Sequence, residues 1–119
     1  MRKILLIDDS SFTLQRHQKI FSTLGLDVQI STSLKQGLKL LETGSVDLVI
    51  TDLLMPDQDG LEVIRTMKVK YPAIKVAVVS ADIQESRRQE VLDLGAIDIV
   101  YKPLDELKAK ALLEKLNAS

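Results

Sequence analysis

Four short apolar runs in this chain each end in a residue that could contact a phosphoryl group or a cation. The runs and the residues after them are 3–7 with Asp8 and Asp9, 46–51 with Asp52, 75–79 with Ser80, and 97–101 with Lys102. In an open parallel sheet, ligands bind at the edge where the strands have their carboxyl ends. If the runs are parallel strands, three carboxylates, a hydroxyl and an ammonium meet there, a set suited to magnesium and phosphoryl chemistry.

The adjacent carboxylates of Asp8 and Asp9 point to a cation. Two neighbouring carboxylates at a strand end repel each other unless a cation or a proton lies between them. Oxygen ligands of this kind select Mg²⁺, Mn²⁺ or Ca²⁺. Acidic residues are also favoured at the start of a helix by the helix dipole. Because Asp52 follows another predicted strand, the sequence favours a metal site over acidic residues that only interact with the helix dipole.

Asp52 is the candidate nucleophile. A carboxylate can take up a phosphoryl group to form an aspartyl phosphate, and a divalent ion and a lysine would offset the charge on the transferring group. Aspartate is also a common turn residue, so Asp52 taken alone leaves a plain loop-entry role open.

Ser80 and Lys102 complete the predicted site. The small Ala81 predicts an accessible Ser80 hydroxyl that could donate to a phosphoryl oxygen, although Ser80 could also cap the next helix. Lys102 precedes Pro103 and is therefore biased to extended backbone, from which its ammonium can act as a point charge. For Lys102 taken alone, the alternative is a surface lysine.

Two other features are interpreted as structural. His17 lies at the edge of a predicted apolar helix face, so we interpret it as a boundary histidine, with a phosphodonor role as the alternative. The segment 57–60 is similar to part of a calcium loop, but that loop needs a carboxylate six residues after its glycine, where Thr66 stands. A glycine-rich phosphate loop is absent from the sequence.

The composition indicates one globular domain. The 119 residues suit a single domain with its own core. The absence of cysteine excludes disulfides and thiolate metal sites, and a single histidine argues against a multi-histidine metal centre. A net charge of −1 and 3% aromatic residues do not suggest nucleic-acid binding. No run has the length of a signal peptide or a membrane span. We expect a soluble cytoplasmic domain over residues 1–119.

Apolar runs alternate with segments of helical period. The predicted strands are 3–7, 27–31, 46–51, 75–79 and 97–101. The predicted helices are 11–24 after a Ser10-Ser11 cap, 34–44 after a Ser33 cap, 61–71, 83–94 and 104–117. Gly25 suits a left-handed helix end, and Gly37 inside the second helix should weaken it by roughly 1 kcal/mol. Such alternation predicts an α/β fold, a doubly wound parallel sheet with helices on both faces.

The chain resembles a response-regulator receiver domain, the phosphoacceptor module of two-component signalling. The resemblance covers the whole chain. It is carried by Ile7-Asp8-Asp9-Ser10, Asp52 with Met55-Pro56 and Asp59-Gly60, Ser80-Ala81, Gly95-Ala96 and Lys102-Pro103. It implies a CheY-like, flavodoxin-like three-layer sandwich with strand order 2-1-3-4-5.

The resemblance also implies a role for each site residue. Asp52 would accept phosphate from a histidine kinase or phosphotransfer protein, and Ser80 and Lys102 would bind the phosphoryl group. The implied ligands of Mg²⁺, with Mn²⁺ as an alternative, are Asp8, Asp9, Asp52 and the Leu54 carbonyl. Such a domain is not a conventional enzyme, but it catalyses its own phosphorylation and slow dephosphorylation.

Two positions depart from the family pattern. Ile99 stands where most members have the aromatic switch residue, and Tyr101 lies next to Lys102 instead. Leu54 is apolar where many members are polar, which could hinder the hydrolytic water.

The expected output is altered binding of a downstream protein. The implied output surface comprises residues 83–94, 97–101 and 104–117, and its candidate partner residues are Arg87, Arg88, Glu90 and Leu113. We expect a stand-alone receiver, which could also pass phosphate onward in a relay. The alternatives are a receiver cut from a longer regulator, a scaffold without phosphotransfer, and a Mg²⁺-dependent phosphohydrolase using Asp52. A phosphohydrolase of this kind commonly needs a second acid near the nucleophile as proton donor. Leu54, two residues after Asp52, does not supply one.

Overall fold

A parallel sheet lies between two layers of helices. The computed structural model describes residues 2–42, 44–55, 58–81 and 83–118. The strands of the sheet are β1 (Lys3–Ile7), β2 (Asp27–Ser31), β3 (Leu48–Thr51), β4 (Lys75–Ser80) and β5 (Asp98–Tyr101). Counted within this sheet, the order is 2-1-3-4-5, and all neighbours are parallel. The predicted fold class and strand order are confirmed. Leu54–Met55 and Gln58–Asp59 form a separate short antiparallel pair beyond β3.

Helices cover both faces of the sheet. They are α1 (Ser11–Thr23), α2 (Leu34–Glu42), α3 (Gly60–Lys70), α4 (Glu85–Asp93) and α5 (Glu106–Ala118). One apolar core cluster includes Leu41 of α2, Ile64 of α3 and Val91 of α4. The other includes Phe21 of α1 and Leu112 of α5. None of the helices in the described part of the chain is both long enough and apolar enough to cross a membrane.

The apolar runs are strands buried on both faces. All four residues of β3 are buried, and Ile4 and Leu5 on β1 belong to opposite core clusters. A strand in the middle of a parallel sheet is covered by helices on both sides and therefore reads as a continuous apolar run. This arrangement leaves the carboxyl ends of β1, β3, β4 and β5 as the places where polar side chains can converge.

Local signals set the helix ends near their predicted places. The Ser10 hydroxyl accepts a hydrogen bond from the Thr13 N–H at 3.2 Å, and the Ser33 hydroxyl accepts one from the Gln36 N–H at 3.1 Å. Gly25 follows α1 with φ +88°, a left-handed conformation that glycine adopts without steric cost. The predicted caps of α1 and α2 are confirmed.

Some predicted boundaries were wrong by a few residues. β3 begins at Leu48 rather than residue 46, and the Asp47 carboxylate just before it accepts a hydrogen bond from the Lys3 N–H at 3.0 Å. α4 begins at Glu85 rather than residue 83, because the backbone of Gln84 is still extended. α5 begins at Glu106 rather than residue 104, and the Asp105 carboxylate just before it accepts a hydrogen bond from the Lys108 N–H at 2.8 Å.

Gly37 has a packing role inside α2. A Cβ at this position would lie 3.2 Å from the Cδ1 atom of Ile7 and 3.4 Å from the Cδ2 atom of Leu5. The missing side chain therefore lets α2 approach β1 closely, which accounts for a residue of low helix propensity in the middle of a helix.

Candidate functional site

Three carboxylates converge at the carboxyl ends of β1 and β3. One carboxylate oxygen from each of Asp8, Asp9 and Asp52 lies within 4.8 Å of the others. The Asp8 N–H donates to the Ser31 carbonyl and the Asp52 N–H donates to the Ile7 carbonyl, both at 3.1 Å. The sheet's own hydrogen bonds thus hold the backbones of Asp8 and Asp52 in place. Asp8 and Asp52 are buried, while Asp9 is exposed.

The carboxylates interact unfavourably with one another. Desolvation raises the pKa of Asp9, and the hydrogen bond and negative charge of Asp8 raise it further. Hard divalent cations prefer oxygen ligands, so Asp8, Asp9 and Asp52 form a donor set that fits Mg²⁺ or Mn²⁺.

Lys102 supplies positive charge to two of the three acids. Its ammonium lies 3.1 Å from Asp8 Oδ2 and 3.2 Å from Asp52 Oδ2. Burial by itself lowers the pKa of Lys102, but the hydrogen bonds and charges of Asp8 and Asp52 outweigh it, so the pKa of Lys102 is raised. The side chain is therefore a fixed cation beside the candidate nucleophile.

Ser80 lies at the carboxyl end of β4, but its predicted accessibility was wrong. The residue is 0% exposed. It pairs with Tyr101 of β5, and its carbonyl accepts the Lys102 N–H at 2.9 Å. Pairing with β5 buries Ser80 whatever the size of Ala81.

The backbone after Asp52 is held against the Asp52 carboxylate. The Leu54 N–H donates to Asp52 Oδ1 at 3.3 Å, while the Leu54 side chain is 61% exposed. Gly60 begins α3 against the same segment, where its N–H donates to the Leu53 carbonyl at 3.1 Å. A Cβ on Gly60 would overlap the Asp52 carbonyl oxygen. The sequence marked Gly60 as a turn residue but did not reveal this contact.

Ile99 and Tyr101, the two residues that depart from the family pattern at the end of the sheet, both lie on β5. Ile99 is buried on β5 and pairs with Val78 of β4. Tyr101 is exposed, and its hydroxyl accepts a hydrogen bond from the Arg88 guanidinium at 3.3 Å. The Tyr101 hydroxyl therefore links the end of β5 to α4.

The candidate partner residues are tied to neighbouring elements. Arg87 binds Asp59 at 3.1 Å and Glu90 binds Arg65 at 3.3 Å, so both join α4 to the α3 region. Leu113 is partly buried and packs against the core cluster beneath α1 and α5. Asp57, which the calcium-loop comparison included, lies outside the described residues.

His17 lies deeper than predicted. It is 8% exposed and lines a small space beneath the site together with Asp8 and Asp52. Burial lowers the pKa of His17, and the positive charge of Lys102 lowers it further. A buried imidazole cannot reach another protein, so the structure argues against the phosphodonor alternative.

Comparison with known proteins identifies the family. Residues 4–116 match the model of the response regulator receiver domain. The chain belongs to this family. The receiver is 32% identical over 112 residues to the transcriptional regulatory protein ZraR of Escherichia coli (strain K12), and this match covers 94% of the chain. It is 34% identical over 112 residues to the KDP operon transcriptional regulatory protein KdpE of the same strain, covering 92% of the chain.

The receiver accounts for part of those relatives. It spans 25% of the length of ZraR and 49% of KdpE. Among solved structures, it is similar to a response regulator receiver domain from Clostridium thermocellum, with a TM-score of 0.89 and 28% identity. That match covers 99% of this chain and 96% of the other. The family indicated by the sequence motifs is confirmed.

Proposed function

We propose that Asp52 of this receiver accepts a phosphoryl group from a phosphohistidine of a kinase or phosphotransfer protein, in a reaction that requires a divalent cation. The observation that carries the proposal is the Lys102 ammonium, which contacts both Asp8 and Asp52 beside the cluster of three acids. A half-buried lysine between a candidate metal ligand and a candidate nucleophile suits charge stabilisation of a transferring group.

The nucleophile is a carboxylate oxygen of Asp52. An oxygen–phosphorus bond forms while the phosphorus–nitrogen bond to the donor imidazole breaks, and the imidazole leaves with the bonding pair and takes a proton from solvent. The Leu54 N–H holds Asp52 Oδ1 and Lys102 contacts Oδ2. These two contacts orient the carboxylate before the donor arrives.

Asp8, Asp9, Asp52 and the Leu54 carbonyl would hold Mg²⁺, or Mn²⁺ in its place. Bound there, the cation would offset negative charge on the phosphoryl oxygens. Lys102 contacts Asp8 and Asp52, whereas desolvation, followed by the hydrogen bond and negative charge of Asp8, raises the pKa of Asp9. A cation bound by Asp9 would add positive charge next to the two carboxylates that Lys102 contacts.

Exposed apolar side chains border the site and suit a docking partner. Phe12 at the start of α1 is 74% exposed and Leu107 at the start of α5 is 77% exposed. In the sequence, α1 begins three residues after Asp8 and α5 begins four residues after Lys102. We assign this border to the phosphodonor. The exposed Leu54 would also shield the phosphoryl group from the hydrolytic water.

The response is a shift between two conformations that differ in affinity for a downstream protein. Ser80 would move toward the phosphoryl group and Ile99, whose branched side chain has few rotamers, would repack. The output surface lies over α4, β5 and α5, where Arg87, Arg88, Glu90 and Leu113 are the candidate contacts. The 119 residues would suffice for the phosphotransfer, with or without further domains.

The test is labelling with radioactive acetyl phosphate and Mg²⁺. We expect wild type and Asp93→Asn, a matched change of an α4 carboxylate away from the site, to be labelled equally. Asp52→Asn should stay unlabelled because an amide is a poor nucleophile. Full labelling of Asp52→Asn would overturn the assignment. Rapid release of inorganic phosphate with no label retained on the wild-type protein would favour a phosphohydrolase.

A further inference from the structure

Lys108 contacts the backbone on both sides of Lys102. Its ammonium donates to the Tyr101 carbonyl at 2.9 Å and to the Pro103 carbonyl at 3.1 Å. These two residues flank Lys102 directly in the sequence. A single side chain from α5 therefore binds the segment that carries the site ammonium.

The base of Lys108 is itself firmly placed. Its N–H donates to the Asp105 carboxylate at 2.8 Å in the first turn of α5. The next residue, Ala109, and Leu112 one turn on are fully buried in the core. Because this turn is anchored, the core fixes the backbone from which the Lys108 side chain reaches the two carbonyls.

The contact occurs where the sheet gives Lys102 little support. The Lys102 N–H still donates to the Ser80 carbonyl at 2.9 Å. Beyond that hydrogen bond, β5 has ended at Tyr101 and α5 does not begin until Glu106. Residues 102–105 form a bend between two elements, and the Lys102 side chain must reach Asp8 and Asp52 from it.

We infer that Lys108 is a positioning residue for phosphotransfer, holding the Tyr101 and Pro103 carbonyls so that the Lys102 ammonium stays within reach of Asp8 and Asp52. The inference rests on the proposed function. A positive charge in the first turn of a helix opposes the helix dipole, so Lys108 is poorly suited to stabilise α5 through charge. Its two carbonyl contacts give it a role that the helix itself does not require.

A double-mutant cycle tests the inference. Lys108→Met keeps an unbranched side chain of good helix propensity but loses the donors. We expect the phosphorylation rate at saturating acetyl phosphate to fall about tenfold, since small displacements of a catalytic group are costly, while the half-saturating donor concentration changes little. Lys110→Met, a matched change on the same helix at a lysine paired with Glu106, should behave as wild type.

The cycle separates positioning from simple attraction of an anionic donor. In a Lys102→Ala background, Lys108→Met should change the rate by less than about twofold, because there is no ammonium left to position. An equal loss with and without Lys102 would overturn the inference, as would a change confined to the half-saturating donor concentration.

Amide hydrogen exchange gives a reading that does not depend on phosphorylation. Lys108→Met should speed exchange at the Lys102 amide and leave the Val78 amide in β4 unchanged, and Lys110→Met should alter neither. Unchanged exchange at Lys102 would contradict the inference. If wild type itself takes no label, the proposed function fails, while the exchange result still decides whether Lys108 holds the Lys102 segment.

Discussion

Repulsion among the acids is the main electrostatic feature at the scale of single residues. Lys102 balances part of the charge on Asp8 and Asp52, but Asp9 remains exposed beside Asp8 with its pKa raised. Without a cation, the folded state therefore carries an unfavourable charge that the unfolded chain relieves. A site arranged for cation binding is expected to destabilise the metal-free protein.

Asp9→Asn should raise the melting temperature of the protein in EDTA and weaken its stabilisation by Mg²⁺. Since the folded pKa of Asp9 lies above its ordinary value, the folded state takes up the proton first as the pH falls. The advantage of the variant should therefore shrink at acidic pH. Calorimetry against Asp93→Asn checks this, and an unchanged or lower melting temperature at neutral pH would contradict it.

His17 should make stability depend on pH in a different window. Its folded pKa lies below 6.5, so the unfolded state binds the proton first and stability falls as the pH drops through about 6.5. Asp8 and Asp52 oppose this shift, while Lys102 and Arg16 add to it. Urea unfolding in EDTA measures the free energy of unfolding at each pH. Between about pH 5 and 7 this free energy should change less steeply with pH in His17→Leu than in wild type. Equal slopes would refute the account.

At the scale of elements, Asp59 joins α3 to α4. Its Oδ1 atom accepts the Leu61 N–H at 2.9 Å, which caps α3, and binds the Arg87 guanidinium at 3.1 Å. The two contacts differ in strength, because a helix cap satisfies a backbone donor whereas an exposed ion pair is screened by solvent.

Asp59→Ala should therefore cost more stability than Arg87→Met. Loss of the cap is expected to lower the free energy of unfolding by about 1 kcal/mol. Loss of the ion pair alone, in Arg87→Met, should lower the free energy of unfolding by less than about 1 kcal/mol. High salt should reduce this cost further because it screens the two charges. Urea unfolding at two salt concentrations measures both. A larger cost for Arg87→Met would show that the ion pair, not the cap, dominates.

The start of α3 should tolerate no side chain at Gly60. A Cβ there meets the backbone of Asp52 and Leu53, which cannot move without displacing the site. Gly60→Ala is expected to cost about 1–3 kcal/mol, as overpacking does. Gly44→Ala is the control, because its Cβ would meet only the flexible Lys3 side chain. Similar unfolding free energies for the two variants would refute this reading.

At the scale of the whole molecule, alternating apolar runs were enough to predict the sheet and to bring Asp8, Asp9, Asp52 and Lys102 to one edge. That inference works because strand ends are local in sequence and parallel strands share an edge. The burial of Ser80 depends on pairing with β5, and the Lys108 contacts depend on where α5 packs. Such contacts between elements leave no periodic signal, so the sequence did not reveal them.

The central claim is that Asp52 is the phosphoacceptor and that a divalent cation is required. The most direct measurement is to treat the protein with acetyl phosphate, reduce the acyl phosphate with borohydride, and sequence the peptides by mass spectrometry. We expect homoserine at position 52 with Mg²⁺ present and unmodified aspartate with EDTA. Homoserine at another aspartate, or at position 52 equally with and without Mg²⁺, would contradict the account.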